Sequence, residues 1–335
     1  MGIGVGIMGV GRAGGEIHMP QFAKLDGYDI IGVCDVSAQR ARQRTAEFGG
    51  EIFPSYEAML DDGRIELVVV ATPSSSHADH SIQALEAGKH VVVDKPTATS
   101  LEEGERMFAT AERCGRILVT YQNRRWDGDF TAVRDAIAGG LIGEPWLIEN
   151  RVMGAGDRPW GEYGLSDVVW RHEKAYGGGY LLDWGPHLID QALQLAGAPV
   201  RSVYADVRGG VWAKDADDHF MLVMRFANGV LANCIASGVA RFEGHRWYVV
   251  GTNGTIVSKG WDKPIYVRHA KDGAGTETKL DANKTEWERF YEALADALAG
   301  EAAVPVTPDD SLRVLRIIEA ARESARTGEA VHVDI

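Results

Sequence analysis

Short apolar runs and amphipathic stretches alternate along the first third of the chain. A run of about four to eight apolar residues is typical of a strand, and a longer stretch with helical spacing is typical of a helix. The runs VVVAT and HVVVD are continuous, as expected when both faces of a sheet are covered. Strands and helices that alternate in this way predict a parallel, doubly wound sheet. The predicted strands are Ile3–Met8, Tyr28–Cys34, Leu67–Ala71, His90–Val93 and Ile117–Tyr121, and the predicted helices lie near Ala13–Leu25, Ala38–Phe48, Ser76–Ala87 and Leu101–Cys114.

After about Asn123 the pattern changes to longer strands without intervening helices. These strands are predicted at Val200–Val207, His219–Phe226, Val230–Ser237, His245–Thr252 and Ile265–His269. The sequence between Phe226 and Val230 contains Asn-Gly, which tolerates the positive φ of a hairpin turn. Two helices, Glu286–Leu298 and Pro308–Arg326, end the chain. We expect an N-terminal domain over residues 1–123 and an α+β domain with an open, mostly antiparallel sheet over residues 124–335.

Length and composition narrow the classes of function. A chain of 335 residues is long enough for two domains. Its 35 basic and 48 acidic residues give a net charge of −13, which argues against a nucleic-acid or anionic-membrane partner. No segment reaches the roughly 20 apolar residues that a membrane helix needs. Cys34, Cys114 and Cys234 are too few and too widely spaced for a disulfide framework, so we expect a cytoplasmic protein.

The opening MGIGVGIMGVGRAGGEIH satisfies G-x-G-x-x-G twice, first from Gly4 and again from Gly9. A dinucleotide-binding fingerprint needs a strand before it and a helix after it. The second register leaves Ile3–Met8 as a strand of useful length, whereas the first leaves too few residues to pair. This register predicts a Rossmann-type site in which the Gly9-Gly11-Gly14 loop cradles a pyrophosphate. A tight turn without a ligand is the alternative.

Asp35 ends the second predicted strand, where an acidic residue selects the cofactor. Its carboxylate can accept hydrogen bonds from both hydroxyls of the adenosine ribose, and it repels a 2′-phosphate. Asp35 therefore favours NAD. Arg40 follows closely and could hold a phosphate, so the sequence does not exclude NADP. The alternative is that Asp35 merely caps the next helix.

Two further loops are predicted at the carboxyl ends of strands, where ligands bind in open α/β sheets. One spans Ala71–His77 and the other spans Val93–Pro96. Pro96 biases Lys95 towards an extended conformation, which can aim its ammonium over the crevice. Taken alone, Lys95 is more often a solvated side chain in a turn.

A third candidate site lies in the sequence DWGPHLID. Asp183 and His187 are four residues apart, so on one helix both would project from the same face, with Asp190 nearby. Oxidation of an alcohol needs a base for the hydroxyl proton, and histidine titrates near neutral pH. Asp183 could instead be an N-cap before Pro186, His187 a core histidine, or the pair a metal site. No further His/Cys cluster is evident, so we expect no metal.

Together these motifs resemble the Gfo/Idh/MocA family of nicotinamide-dependent oxidoreductases over essentially the whole chain. The resemblance rests on the glycine loop, Thr72-Pro73 with His77, Asp94-Lys95-Pro96, Asn123-Arg124-Arg125-Trp126, Trp170-Arg171 and the segment from Asp183 to Asp190. Two positions depart from the family pattern. Asp94 replaces the usual Glu, and Ser74 replaces the usual Asn, and neither change removes the chemistry.

The resemblance implies a role for each matching residue. Lys95, Asp183 and His187 would be catalytic. The cofactor would be bound by Gly9, Gly11, Arg12, Ala13, Gly14, Asp35, Arg40, Thr72, Pro73, His77, Asp94, Lys95, Asn123, Trp170 and Arg171. The substrate would be bound by Lys95, Arg124, Asp183, His187 and Asp190. Trp160 and Tyr163 belong to a glycine-containing loop, and we expect them to wall the pocket because aromatic faces pack on the C–H faces of sugars. Packing between domains is the alternative for this pair.

We expect an NAD(P)-dependent oxidoreductase that acts on a secondary hydroxyl or ketone of a sugar, an inositol or a sugar derivative. Two alternatives stay open: a redox-assisted NAD-dependent glycosidase, and a catalytically silent sensor of sugar or NAD. An open sheet leaves apolar strand residues in water. The resemblance implies that such sheets pack face to face between subunits, so we expect a homodimer or homotetramer.

Overall fold

Two β-sheets organise the molecule. The computed structural model describes residues 2–154, 170–213, 215–271 and 274–335. Within this part of the chain the first sheet has six strands and the second has nine. No helix among the described residues is long and apolar enough to cross a membrane.

The elements up to residue 123 alternate between strand and helix. The strands are β1 (Ile3–Met8), β2 (Tyr28–Cys34), β3 (Glu51–Ile52), β4 (Leu67–Val70), β5 (His90–Val93) and β6 (Leu118–Thr120). The α-helices are α1 (Met19–Phe22), α2 (Ala38–Phe48), α3 (Tyr56–Leu60), α4 (His77–Glu86) and α5 (Leu101–Cys114). All strand pairs are parallel, in the order β3-β2-β1-β4-β5-β6. The predicted doubly wound parallel sheet is confirmed. The strand order changes direction between β1 and β4, and ligands bind at this point in such folds.

A helical segment follows the glycine loop near the predicted Ala13–Leu25, but it is not one regular α-helix. The chain instead forms a π-helical turn over Arg12–His18, and α1 follows it as one short turn. Pro20 in α1 has no N–H to bond back to the preceding turn, so one regular α-helix cannot run through this point. π-Helical turns are rare and often lie at functional sites.

The elements after residue 123 build the second sheet and its helices. The strands are β7 (Pro145–Met153), β8 (Val200–Gly209), β9 (Asp217–Phe226), β10 (Leu231–Ser237), β11 (Trp247–Gly251), β12 (Gly254–Ser258), β13 (Ile265–Lys271), β14 (Ala274–Leu280) and β15 (Val331–His332). The helices are α6 (Gly128–Ala138), α7 (Tyr180–Asp183), α8 (Gly185–Ala196), α9 (Glu288–Leu298) and α10 (Pro308–Thr327). The strand order is β14-β13-β12-β11-β7-β10-β9-β8-β15.

This second sheet is mostly antiparallel, as predicted, with one parallel pair between β7 and β10. The hairpin between β9 and β10 turns through Gly229, whose φ is +89°, and this confirms the predicted turn. Central β7 was not predicted from the sequence, because Glu149, Asn150 and Arg151 interrupt its apolar pattern. Asn150 is fully buried, and its amide nitrogen donates to the carbonyl of Leu188 in α8.

The two domains share their cores. Tyr291 and Leu294 of α9 belong to the same apolar cluster as Val5 and Ile7 of β1. On the other face of the first sheet, Leu315 of α10 packs into the cluster that holds Val68 and Met107. The C-terminal helices therefore complete the N-terminal core. The predicted division at residue 123 lies between the last strand of the first sheet and the first strand of the second.

One face of the second sheet carries helices, and the other does not among the described residues. Helix α8 packs on β7 and β10, and α10 packs on β8. On the opposite face, alternate positions along β9 and β10 carry Met221, Val223 and Ile235, which are only partly buried. This partly exposed apolar surface is the outer face of the sheet.

Candidate active site

A cleft between the two domains lies at the carboxyl ends of β1, β5 and β6. Its lining residues are Arg12, Ala13, Ile17, Asp94, Lys95, Tyr121, Asn123, Arg124, Arg171, Asp183, Trp184, His187 and Trp287. All except Ile17, Tyr121, Trp184 and Trp287 carry a role predicted from the sequence. The structure brings these predicted residues together, and their individual roles stay predictions.

The glycine loop connects β1 to the π-helical turn. Gly9 has a φ of +88°, and a Cβ there would lie 2.7 Å from the carbonyl oxygen of Ala71, so this position requires glycine. A Cβ on Gly14 would lie 1.9 Å from the carbonyl oxygen of Gly9, so the turn packs directly on the loop. A Cβ on Gly11 would meet only the guanidinium of Arg40, at 3.1 Å. Backbone atoms therefore pack tightly against Gly9 and Gly14, whereas Gly11 has space beside it. This shape fits a bound pyrophosphate.

Asp35 ties the end of β2 to this loop. Its Oδ2 accepts a hydrogen bond from the N–H of Val10 at 2.8 Å, and its Oδ1 accepts one from the N–H of Ser37 at 2.7 Å. Ser37, rather than Asp35, is the N-cap of α2, so the capping alternative for Asp35 is wrong. The Nε of Arg40 lies 3.7 Å from Oδ1. The adenosine end of the site therefore has one carboxylate with a guanidinium beside it.

His77 braces the two loops that follow β4 and β5. Its Nδ1 lies 2.7 Å from the carbonyl oxygen of Pro96, and its Nε2 lies 3.0 Å from the carbonyl oxygen of Thr72. The side chain is buried, and burial lowers the pKa of His77. The structure therefore places His77 behind the loops, where it shapes the site through the backbone instead of lining the cleft. Thr72 and Pro73 lie in the loop, outside the lining residues.

The two departures from the family pattern both have local contacts. A Cβ on Gly177 would lie 2.8 Å from the Cβ of Ser74, so the serine lies under a tight turn with little space for a longer side chain. Ser74 is also buried. Asp94 lines the cleft, and its Oδ1 accepts a hydrogen bond from the N–H of Lys95 at 2.8 Å. The shorter carboxylate thus helps to fix the backbone that carries the lysine.

Lys95 brings an ammonium into the cleft. Its Nζ donates to the carboxylate Oδ1 and to the carbonyl oxygen of Asp183, both at 2.6 Å. The Nε of Arg171 lies 3.5 Å from the same carboxylate oxygen, and the Arg171 guanidinium stacks on Trp170 at 4.3 Å. Two cations share one carboxylate, so the group carries net positive charge at a point where a substrate oxygen could bind.

Asp183 and His187 lie on two helices instead of one. Asp183 ends α7, and Trp184 is the N-cap of α8, which has Pro186 in its first turn. The two residues therefore do not lie on one uninterrupted helix, and the N-cap alternative for Asp183 is wrong. The predicted position of Pro186 is confirmed. Both side chains still reach the cleft, because the chain turns at Trp184.

His187 is buried in the wall of the cleft, with 5% of its surface exposed. Burial lowers the pKa of His187 well below its ordinary value, and the charges of Lys95 and Arg124 lower it further. Its Nδ1 has no hydrogen-bond partner among the described residues. The ring is therefore a neutral imidazole at neutral pH, the form that can accept a proton.

The structure does not bring Asp190 into the cleft. Its Oδ1 accepts from Nη2 of Arg125 at 2.6 Å, and its Oδ2 accepts from Nε of Arg125 at 2.9 Å. Arg125 also donates to Asp310, the third residue of α10, at 3.2 Å. Asp190 lies one turn beyond His187, so its side chain meets Arg125 at the domain boundary. This ion pair replaces the predicted substrate contact.

Three aromatic residues in the cleft had no role predicted from the sequence. Trp184 lies inside the DWGPH motif and Tyr121 ends a predicted strand, so the sequence held a positional signal for both. Trp287 precedes α9, and its Nε1 donates to Asp127 at 2.8 Å. Nothing local in the sequence pointed to Trp287. The predicted pocket residues Trp160 and Tyr163 belong to residues 155–169 and lie outside the described residues.

The fold and the cleft together define the class of enzyme. A parallel sheet with a glycine loop and an acidic residue at the end of its second strand, joined to an open-sheet domain that closes the cleft, is the architecture of a two-domain NAD(P)-dependent oxidoreductase. Residues 3–122 match the family model described as oxidoreductase family, NAD-binding Rossmann fold, and residues 130–257 match that of the GFO/IDH/MocA C-terminal domain. The chain belongs to the Gfo/Idh/MocA family.

Individual relatives cover nearly the whole chain. The structure of an NAD-binding protein from Listeria innocua superimposes with a TM-score of 0.90 at 34% identity, covering 99% of this chain and 97% of that one. A scyllo-inositol 2-dehydrogenase (NADP+) from Bacillus subtilis is 29% identical over 99% of this chain and 96% of its own. A 1,5-anhydro-D-fructose reductase from Ensifer adhaerens is 29% identical over 92% of each chain.

Proposed function

We propose that this oxidoreductase moves a hydride between NAD(P) and a secondary hydroxyl or ketone of a sugar, an inositol or a sugar derivative. The observation that carries the proposal is the grouping of Lys95, Asp183 and His187 in one cleft with aromatic walls. Among the relatives, one is named for an inositol and one for an anhydro sugar. Aromatic faces suit such substrates because their ring C–H groups are apolar.

The chemistry divides between the cofactor and the side chains. NAD(P), when bound on the glycine loop, supplies the hydride acceptor or donor. In the oxidative direction the substrate carbon loses a hydrogen with both bonding electrons, the hydroxyl loses a proton, and a ketone forms. Neutral His187 accepts that proton. The Lys95 ammonium holds the substrate oxygen and stabilises the negative charge that develops on it.

Asp183 has two functions in this scheme. It fixes the Lys95 ammonium through the two contacts at 2.6 Å. Its carboxylate also raises the pKa of His187 and partly opposes the effect of burial. Asp183 thereby holds the lysine in place and makes the histidine a stronger base.

A substrate panel tests this function. The purified protein is incubated with NAD or NADP and with sugars, inositols, anhydro sugars and glycosides, and NADH or NADPH is followed by absorbance while products are identified by mass. We expect stoichiometric formation of a ketone and a reduced cofactor with at least one polyol. Cleavage of a glycoside without net reduced cofactor would show a redox-assisted glycosidase instead. No turnover across the panel, with cofactor binding intact, would favour a sensor.

We further propose that the outer face of the second sheet, which carries Met221, Val223 and Ile235, packs on a second copy of the chain. Their partial exposure along two neighbouring strands gives a continuous apolar surface. Light scattering at micromolar concentration should show a dimer or tetramer, and replacement of Val223 and Ile235 by lysine should yield a monomer. A monomeric wild-type protein would refute this assembly.

A further inference from the structure

A stack of alternating indole and guanidinium groups runs from the protein core into the cleft. The Arg246 guanidinium lies 4.6 Å from the ring of Trp247 and 4.1 Å from the ring of Trp261. The Arg124 guanidinium lies 4.4 Å from the ring of Trp261 and 4.8 Å from the ring of Trp184, and the centroids of these two rings are 5.9 Å apart. Arg124 and Trp184 line the cleft, whereas Arg246 and Trp247 are buried. The stack thus connects buried residues to the cleft wall.

Hydrogen bonds also connect Arg246 to Arg124 through Gln191. Nη2 of Arg246 donates to Oε1 of Gln191 at 2.7 Å, and Nε2 of Gln191 donates to the carbonyl oxygen of Arg124 at 2.8 Å. Nη1 of Arg124 donates to Asp127 at 2.9 Å. Arg124 is therefore held at its backbone, at Nη1 and against two neighbouring indoles. Its Nε is buried, so the terminal Nη groups are the part of the guanidinium that can meet a ligand in the cleft.

The loop that supplies Trp261 is held in a rare conformation. Asp262, the next residue, has a φ of +51°, and it is the one non-glycine residue with positive φ in the described part of the chain. Its carboxylate accepts a hydrogen bond from the hydroxyl of Thr285 at 2.7 Å. Such conformations persist where the surrounding structure enforces them, often beside functional sites. Here the enforced turn places Trp261 between the two arginines.

Burial of the Arg246 charge in the core disfavours folding. Its Nε and Nη1 have no hydrogen-bond partner among the described residues, and its nearest carboxylate, Asp129, lies 3.6 Å from Nε. Burying an incompletely paired charge disfavours folding, and well-packed apolar groups are often at least as stabilising. Stability alone therefore does not account for an arginine here.

We propose that Trp261 and Arg246 are positioning residues, which fix the plane of Arg124 so that its terminal Nη groups bind two neighbouring oxygens of the substrate. A planar guanidinium donates two parallel hydrogen bonds and matches a pair of adjacent hydroxyls when its orientation is fixed. The substrate half of this proposal rests on the proposed function. The positioning half concerns the protein alone.

Trp261→Leu and Trp261→Phe form the test pair, because phenylalanine keeps an aromatic face and leucine does not. Trp146→Leu, at an indole that is 65% exposed, is the matched control. Without substrate, each protein is treated with phenylglyoxal, and the rate of labelling at Arg124 is followed by peptide mass. Loss of the stack in Trp261→Leu should speed labelling by roughly fivefold or more, while Trp261→Phe and Trp146→Leu stay near wild type. Equal rates at Arg124 in all four proteins would overturn the positioning role.

Kinetics then test the substrate half with whichever polyol the wild type oxidises. In Trp261→Leu we expect KM for the polyol to rise about tenfold, with kcat within about threefold and the Kd for the cofactor unchanged. Trp261→Phe should restore most of the loss. An unchanged KM beside faster labelling would show that Arg124 does not bind the substrate. If no polyol is oxidised, the proposed function and the substrate half both fail. The labelling result still shows whether Trp261 positions Arg124.

Discussion

The cofactor half and the substrate half of the cleft are built in different ways. The cofactor half uses short segments that follow single strands: the glycine loop after β1, Asp35 at the end of β2 and the Lys95 loop after β5. The substrate half combines Arg124 after β6 with residues from distant elements, such as Trp184 before α8 and Trp261 between β12 and β13. Local geometry defines the first half, and packing between distant segments defines the second. Substitutions in the two halves should therefore have different effects.

The largest expected effect lies where the halves meet. Removal of a general base typically lowers the rate by about 10²- to 10⁴-fold, so His187→Ala should lower kcat by that amount while cofactor binding persists. Lys95→Ala should lose a similar amount, and the double variant should lose far less than the product of the two losses. Turnover is measured beside thermal melts, with direct titration of the cofactor. If folded His187→Ala keeps its kcat, histidine is not the base.

The next effect concerns the joint between the domains. Breaking a buried ion pair typically costs about 3–5 kcal/mol, so Asp190→Asn should lower the free energy of unfolding by an amount near the lower end, because Arg125 keeps its contact with Asp310. Glu86→Gln in the exposed ion pair with Arg113 is the control and should leave the melting temperature unchanged. Urea unfolding measures both. A raised KM with normal stability in Asp190→Asn would instead restore Asp190 as a substrate ligand.

A smaller effect tests the cofactor half alone. Since Asp35 repels a 2′-phosphate, we expect kcat/KM to favour NAD over NADP by at least about tenfold, or 1.4 kcal/mol. Asp35→Ser should narrow this ratio and leave KM for the polyol unchanged. Arg40→Met should widen it if the guanidinium beside Asp35 offsets part of the repulsion. Equal use of both cofactors by the wild type would refute the role given to Asp35.

The last effect appears only at acidic pH and is a pH dependence of stability that His18 causes. His18 is buried against Tyr121 and Tyr291, and burial lowers the pKa of His18 from 6.5 to about 4. Between these values the unfolded chain binds a proton that the folded one does not, so stability falls as pH falls, by up to about 1.4 kcal/mol per pH unit. His18→Gln should remove that share of the slope of unfolding free energy between pH 6 and pH 4.5. An identical slope in both proteins would show that His18 does not contribute.

The sequence predicted the glycine loop and the position of Asp35 after β2 because the determinants of both are local. Gly9 and Gly14 have steric requirements that appear as a motif, and Asp35 is found by counting strands. The π-helical turn was missed because helical periodicity does not distinguish its hydrogen bonds from those of an α-helix. Pro20 marked a boundary that the apolar pattern concealed.

The substrate half was less accessible to such reasoning. Arg124 and His187 were found through motifs, but Trp261 and Trp287 reach the site only through the order of strands and helices in the second domain. Asp190 was assigned to the substrate through the family resemblance, and its spacing from His187 placed it nearby. The structure shows that Arg125 takes up both of its carboxylate oxygens, and no pattern of spacing reports such a partner.

The shared core has a consequence for how the chain is made. The ribosome releases β1 first, yet the cluster around Val5 and Ile7 also needs Tyr291 and Leu294, and the cluster around Met107 needs Leu315. A growing chain therefore holds an almost complete nucleotide-binding sheet whose two apolar clusters each stay partly uncovered until its last segments emerge. During that interval the nascent protein presents the kind of surface that holding chaperones bind, and a gene fragment that ends at residue 123 would keep that surface permanently.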